Sequence, residues 1–112
     1  MKIPIANPSI GEEEAKAVFE VVQSGWISMG RKVEAFEQAL STLTKTRFAV
    51  AFNNGTSSLH ATLCVLGIGP GDEVIVPSLT YISSANVVLY QGANLVLCDC
   101  DQIGRASCRE RV

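Results

Sequence analysis

The chain has 112 residues, 47 % apolar and 18 % charged, with a formal net charge of −2. That length allows one domain with a core, and that apolar share argues against intrinsic disorder. The charge balance argues against a general nucleic-acid binder, which carries a basic face, and no apolar run approaches the ~18 residues of a membrane span.

The opening stretch MKIPIANPSIGEEE lacks the continuous apolar core of a signal peptide. With that, four cysteines without CxxC spacing are expected to be reduced thiols in a cytoplasmic protein. Ser9 and Glu12 have capping-box spacing, and Glu13 and Glu14 add negative charge where a helix dipole favours it. Ala15, Val18, Phe19 and Val22 keep helical spacing until Gly25. A loop, GWISMG, leads to a second helix from about Arg31, with Val33, Phe36, Leu40 and Leu43 on one stripe.

From Arg47 the pattern changes. RFAVAFN is expected to be a short strand, TSSLHATLCVLG a helix and IGPGDE a turn. EVIVP reads as a strand, ISSANVVLYQGA as a helix ending at Gly92, and NLVLCDCD as a strand. Alternating strands and helices with short connections predict an α/β architecture with parallel strands and right-handed crossovers.

Ligands of open α/β sheets sit at the carboxyl ends of the strands. The first such end reads NNGTSS. Gly55 would allow a tight turn and close backbone approach, and Thr56 and Ser57 would open a helix whose unpaired N–H groups suit a phosphate. Helix capping alone explains the same residues, so both readings stand. The stretch is neither GxGxxG nor GxxxxGK[ST], and neither a dinucleotide fold nor a P-loop is supported. Tyr81 follows the second strand's end and is placed to stack on a planar ring in the same crevice, although packing on the core is the simpler account.

NNGTSSLHATLCVLGIGPGDEVIVPSLTYISSANVVLYQGANLVLCDCD, with PSIGEEE, GWISMG and VEAFEQAL upstream, resembles the DegT/StrS family of pyridoxal-phosphate-dependent sugar aminotransferases from Ile3 to Asp101. The resemblance implies the N-terminal part of a fold-type-I large domain, a three-layer α/β sandwich, here truncated. It implies an obligate homodimer with active sites at the subunit interface. It also implies amino transfer to a keto-sugar nucleotide, with glutamate as donor, in deoxyamino-sugar and polysaccharide biosynthesis. PSLTYISSAN is most similar to perosamine-synthase-like members. By the same resemblance Gly55, Thr56 and Ser57 hold the cofactor phosphate and Tyr81 stacks on the pyridine ring. Trp26, Ser28 and Met29 are weaker candidates for substrate contact.

The Schiff-base lysine of such enzymes is expected downstream of this sequence, since Lys2, Lys16, Lys32 and Lys45 all precede the cofactor turn and none matches the family's lysine motif. No catalytic residue is therefore assigned, and the 112-residue piece is expected to be inactive and poorly soluble alone. Some relatives use a histidine at the lysine position and dehydrate the sugar, so a dehydratase remains an alternative. A small phosphate-binding α/β module without catalysis is another.

His60 reads as a packing or surface histidine, because no nucleophile or carboxylate pairs with it. Cys98 and Cys100 read as small thiols of one strand face rather than as metal ligands, their CxC spacing having no second pair. IGRASCRERV resembles the read-through translation of a sequencing adapter. Residues 1–102 are thus expected to be the family portion and 103–112 a non-native tail.

Overall fold

The computed structural model describes residues 6–100, and the proposed tail 103–112 lies outside them. The chain divides into two units, 1–51 and 52–112. The first contains α1 (Glu12–Gln23) and α2 (Arg31–Thr44). The second contains α3 (Gly55–Val65), β1 (Glu73–Pro77), α4 (Ser83–Tyr90) and β2 (Asn94–Cys98).

In the first unit, Gly11 rather than Ser9 caps α1. Glycine has no side chain to close a capping box, so only half of one forms: the Glu14 carboxylate accepts the Gly11 N–H at 2.7 Å. That bond, with Glu14's own N–H, holds the Glu14 carboxyl below its ordinary range. Its contribution to the helix start is present above the usual carboxylate pKa and fades as pH falls through the depressed value. The helix stops as expected before Gly25, whose φ of +72° lies in the left-handed region. The apolar stripe of α1 has the expected spacing but stays open, with Val18, Phe19 and Val22 all exposed. Phe36 and Leu43 of α2 are exposed as well.

Residues 47–53 correct the sequence reading: they form no strand. A strand exists only where its N–H and C=O groups meet a neighbouring backbone, and none meets these among the described residues. The Ala51 N–H instead donates to the Glu37 carboxylate at 2.7 Å. Phe48 and Val50 are exposed, so the apolar alternation that predicted a strand is present without the ladder.

The second unit is built on a βαβ crossover. β1 and β2 are parallel and paired in register from Glu73↔Asn94 to Pro77↔Cys98. Their β-branched and leucine-rich runs, EVIVP and NLVLC, suit a pleated surface covered by helices. Val88 of α4, 1 % exposed, packs with Val76 and Ala93, and Leu63, Ile68, Val74 and Leu95 close around them. The IGPGDE turn aligns the start of this pair. Its Asp72 carboxylate accepts the Gly69 N–H at 2.9 Å, and the Asp72 carbonyl accepts the Asn94 N–H at 2.8 Å. At the other end the Ser78 N–H donates to the Cys98 carbonyl at 2.9 Å, carrying the pairing one residue past β1.

This core makes a direct prediction. Val88→Ala should lower unfolding stability by about 1–3 kcal/mol, as lost transfer energy plus an unfilled cavity. Val65→Ala, at a position 88 % exposed, should change it by less than about 0.5 kcal/mol. Urea unfolding of the two variants separates the outcomes, and equal midpoints would contradict this packing.

Candidate functional site

The sequence that ends the first apolar run, Asn53-Asn54-Gly55, turns directly into α3. Asn54 is the N-cap: its backbone is extended and its side-chain Oδ1 accepts the Ser57 N–H at 2.8 Å. The cap is therefore an asparagine just upstream of the expected site residues. Sequence reasoning missed its role, although Asn at the boundary of an apolar-periodic segment is a signal for it.

With the cap supplied by Asn54, the hydroxyls that follow divide into two groups. Ser58 Oγ donates to the Gly55 carbonyl and Thr62 Oγ1 to the Ser58 carbonyl, each at 2.8 Å, so both are used within α3. Among the described residues, the hydroxyls of Thr56 and Ser57 make no such bond. Both side chains are half-buried at the opening of the helix. The Ser58 N–H is taken by the Asn54 carbonyl, which leaves the amides of Gly55 and Thr56 as the first unpaired donors of α3.

Gly55 differs in one respect from its expected role. It is the first residue of α3, not a tight turn, and it has no positive φ. A Cβ built on it would meet nothing within 4 Å. Its own conformation does not call for glycine, and the missing side chain simply leaves the helix start open to a group approaching from outside.

Tyr81 stands at the equivalent point of the βαβ unit. The chain leaves β1 at Pro77, runs through Ser78-Leu79-Thr80, and reaches α4 two residues after Tyr81. The Tyr81 carbonyl accepts the Ser84 N–H at 3.0 Å, which fixes its backbone in the first turn before α4. Its ring is 76 % exposed. Among the described residues it does not pack on the core. α3 and α4 pack on one another, with His60 and Tyr90 edge to face at 5.6 Å between ring centroids and Gln91 Nε2 donating to Cys64 Sγ. His60 is a packing histidine.

At the end of β2, Cys98 Sγ donates to the Val76 carbonyl at 3.6 Å, and Cys100 Sγ lies 3.9 Å from Ser78 Oγ. These thiols are spent on the strand pair. Trp26, Ser28 and Met29 belong to the other unit and are all exposed on the loop between α1 and α2.

Comparison with solved structures gives this arrangement its relatives. Spr1654 of Streptococcus pneumoniae, described as a sugar aminotransferase and solved in its PLP form, superposes with a TM-score of 0.88 at 38 % identity over 98 % of this chain. An aminotransferase from Psychrobacter cryohalolentis gives 0.79 at 37 % identity over 88 %. DesV of S. venezuelae, solved with a ketimine intermediate, gives 0.73 at 42 % identity over 80 %. The chain spans only 28 %, 26 % and 24 % of those three proteins. The DegT/DnrJ/EryC1/StrS aminotransferase family model matches residues 8–110. The chain, with its Asn54-capped Gly-Thr-Ser helix start and its parallel strand pair, belongs to the DegT/DnrJ/EryC1/StrS aminotransferase family.

Proposed function

We propose that this chain is the cofactor-phosphate and ring-stacking part of a pyridoxal-phosphate-dependent sugar aminotransferase. The observation that carries the reading is the opening of α3, where Asn54 takes over the capping role and leaves the amides of Gly55 and Thr56 and the hydroxyls of Thr56 and Ser57 uncommitted. A phosphate suits such an opening, because unpaired N–H groups and the helix dipole both favour an anion. The residues present fit the cofactor with one amendment. The Ser57 amide is already bonded to Asn54 Oδ1, so a phosphate reaches it only by sharing or displacing that bond. The exposed Tyr81 ring would cover one face of the pyridine.

When bound, pyridoxal phosphate supplies an electron sink for amino transfer. The residues of this chain bind and orient it, and none of them is assigned a proton transfer. The substrate in this reading is a nucleotide-linked keto-sugar, with an amino acid such as glutamate as donor, in a cytoplasmic homodimer that serves deoxyamino-sugar biosynthesis. The attaching lysine lies downstream of Asp101, and residues 103–112 are a non-native tail.

The coding locus tests this first. A contiguous read past Asp101 is expected to carry a lysine at the family position. A histidine there would give the dehydratase instead, and neither residue would sink both readings.

In the protein so defined, Tyr81→Ala should weaken cofactor retention by a few-fold, the size of an aromatic contact worth ~0.5–1.5 kcal/mol. His60→Ala should leave retention unchanged, since that ring packs on Tyr90. Absorbance titration with pyridoxal phosphate measures both, and equal losses would overturn the role given to Tyr81.

Asn54→Ala should cost about 1 kcal/mol of stability without cofactor, the usual worth of an N-cap. Added cofactor should recover part of that loss, because its phosphate supplies the acceptor that the Ser57 amide has lost. Thermal melts with and without cofactor decide this, and an undiminished deficit would place the phosphate elsewhere.

A further inference from the structure

The inward face of α2 carries a charge. Among the residues of α2 only Val33, Glu37, Leu40 and Ser41 are not exposed, and their spacing puts them on one side of the helix. A carboxylate in the middle of such a face is informative, because glutamate is seldom withdrawn from water without a partner. Glu37 has one. Its Oε1 accepts the Ala51 N–H at 2.7 Å, in a part-buried bond that spans 14 positions of the chain. That length is typical of a charge-assisted bond.

Ala51 lies in a stretch with little else to hold it. Among the described residues this is the only hydrogen bond made by residues 49–53. The side chains there alternate, Ala49 and Ala51 half-buried and Phe48, Val50 and Phe52 exposed. In an extended chain the backbone N–H groups alternate in the same way, so Glu37 takes a donor on one side only. The N–H groups of Val50 and Phe52 point to the other side, where a neighbouring strand would leave the Glu37 bond intact.

Three residues after Ala51 comes Asn54, whose side chain caps α3 through the Ser57 N–H. Only Phe52 and Asn53 separate these two fixed points. A lead so short keeps little conformational freedom once its start is held. A turn whose approach is ordered in advance loses less entropy when it closes on an anion.

We propose that Glu37 is a positioning residue for the phosphate-binding turn. By holding Ala51 it keeps the Asn54 cap and the open amides of Gly55 and Thr56 ordered before a phosphate arrives. It acts through the chain and not by contact with the cofactor. The inference rests on the cofactor reading above and adds to it a residue of α2.

Amide hydrogen exchange and absorbance titration with pyridoxal phosphate, both on the full-length protein, test the proposal. Without cofactor, Glu37→Ala should speed exchange at Ala51 on the order of tenfold, the loss of a charge-assisted bond. The Ser57 amide should exchange a few-fold faster as well, and cofactor affinity should fall a few-fold. Glu37→Gln keeps an acceptor oxygen in place and should restore most of both effects. Glu34→Ala removes the same charge from an exposed position of α2 and should leave both unchanged. Exchange at the core Val88 amide should not move. An equal rise there would mean general loosening and would overturn the proposal. Faster exchange at Ala51 alone, with Ser57 as in wild type, would overturn it too, in either Glu37 variant. The Gln variant therefore decides the matter even where the Ala variant does not fold. Cofactor affinity unmoved by Glu37→Ala, in protein that takes up cofactor, would sink this inference and leave the cofactor site standing. Wild-type protein that takes up none would count against the cofactor reading. A joint rise at Ala51 and Ser57 in that protein would still support the ordering of the turn by Glu37.

Discussion

The parallel pairing of β1 with β2 is the constraint on which the second unit depends. Two strands that run the same way cannot be joined by a tight turn, so the chain must leave β1, cross over and return at the starting end of its partner. α4 is that crossover, and its Val88 closes against Val76 and Ala93. Because the strands are in register from Glu73↔Asn94 to Pro77↔Cys98, their carboxyl ends finish level. The chain therefore emerges at Ser78 beside Cys98, and Tyr81 is delivered to the start of α4. Nothing about Tyr81 itself produces this placement. It follows from the crossover.

α3 reaches a comparable result by a different route. No ladder leads into it, and its first turn is set by the Asn54 cap on Ser57. The two helix starts that carry the candidate residues are thus fixed by unlike devices, one by a strand end and one by a side-chain cap. The difference has a chemical consequence. A cap that occupies an amide competes with any anion for that donor, whereas the Tyr81 ring is already free. A phosphate held at α3, as proposed, would exchange one acceptor for another, and its net gain would be smaller than the count of amides implies.

Much of this was legible in the residues. The EVIVP strand, the helix from Arg31, the stop before Gly25 and the Gly-Pro-Gly turn all follow from local rules: side-chain period, turn chemistry and the left-handed tolerance of glycine. The family, too, was legible, since the Gly-Thr-Ser turn and the GDEVIVPSLTY block occur in order and at a fixed spacing. The capping of α1 was misread by two residues, from Ser9 to Gly11, because a capping box is a spacing and several acidic residues in a row satisfy it.

What the sequence determined by itself was therefore the set of locally encoded elements and the family to which they belong. Tertiary structure alone decided whether RFAVAFN, with every mark of a strand, would be one, because a ladder is formed by two segments and only one of them is in that stretch. It decided that Asn54 and not Thr56 or Ser57 would cap α3, since the three compete for the same few donors and only geometry selects among them. It also decided that Gly30 is held by the Trp26 ring, a contact between a residue with no side chain and one with the largest. Periodicity and propensity describe one residue's preference at a time. These outcomes belong to pairs, and a pair is settled only when the chain brings its two members together.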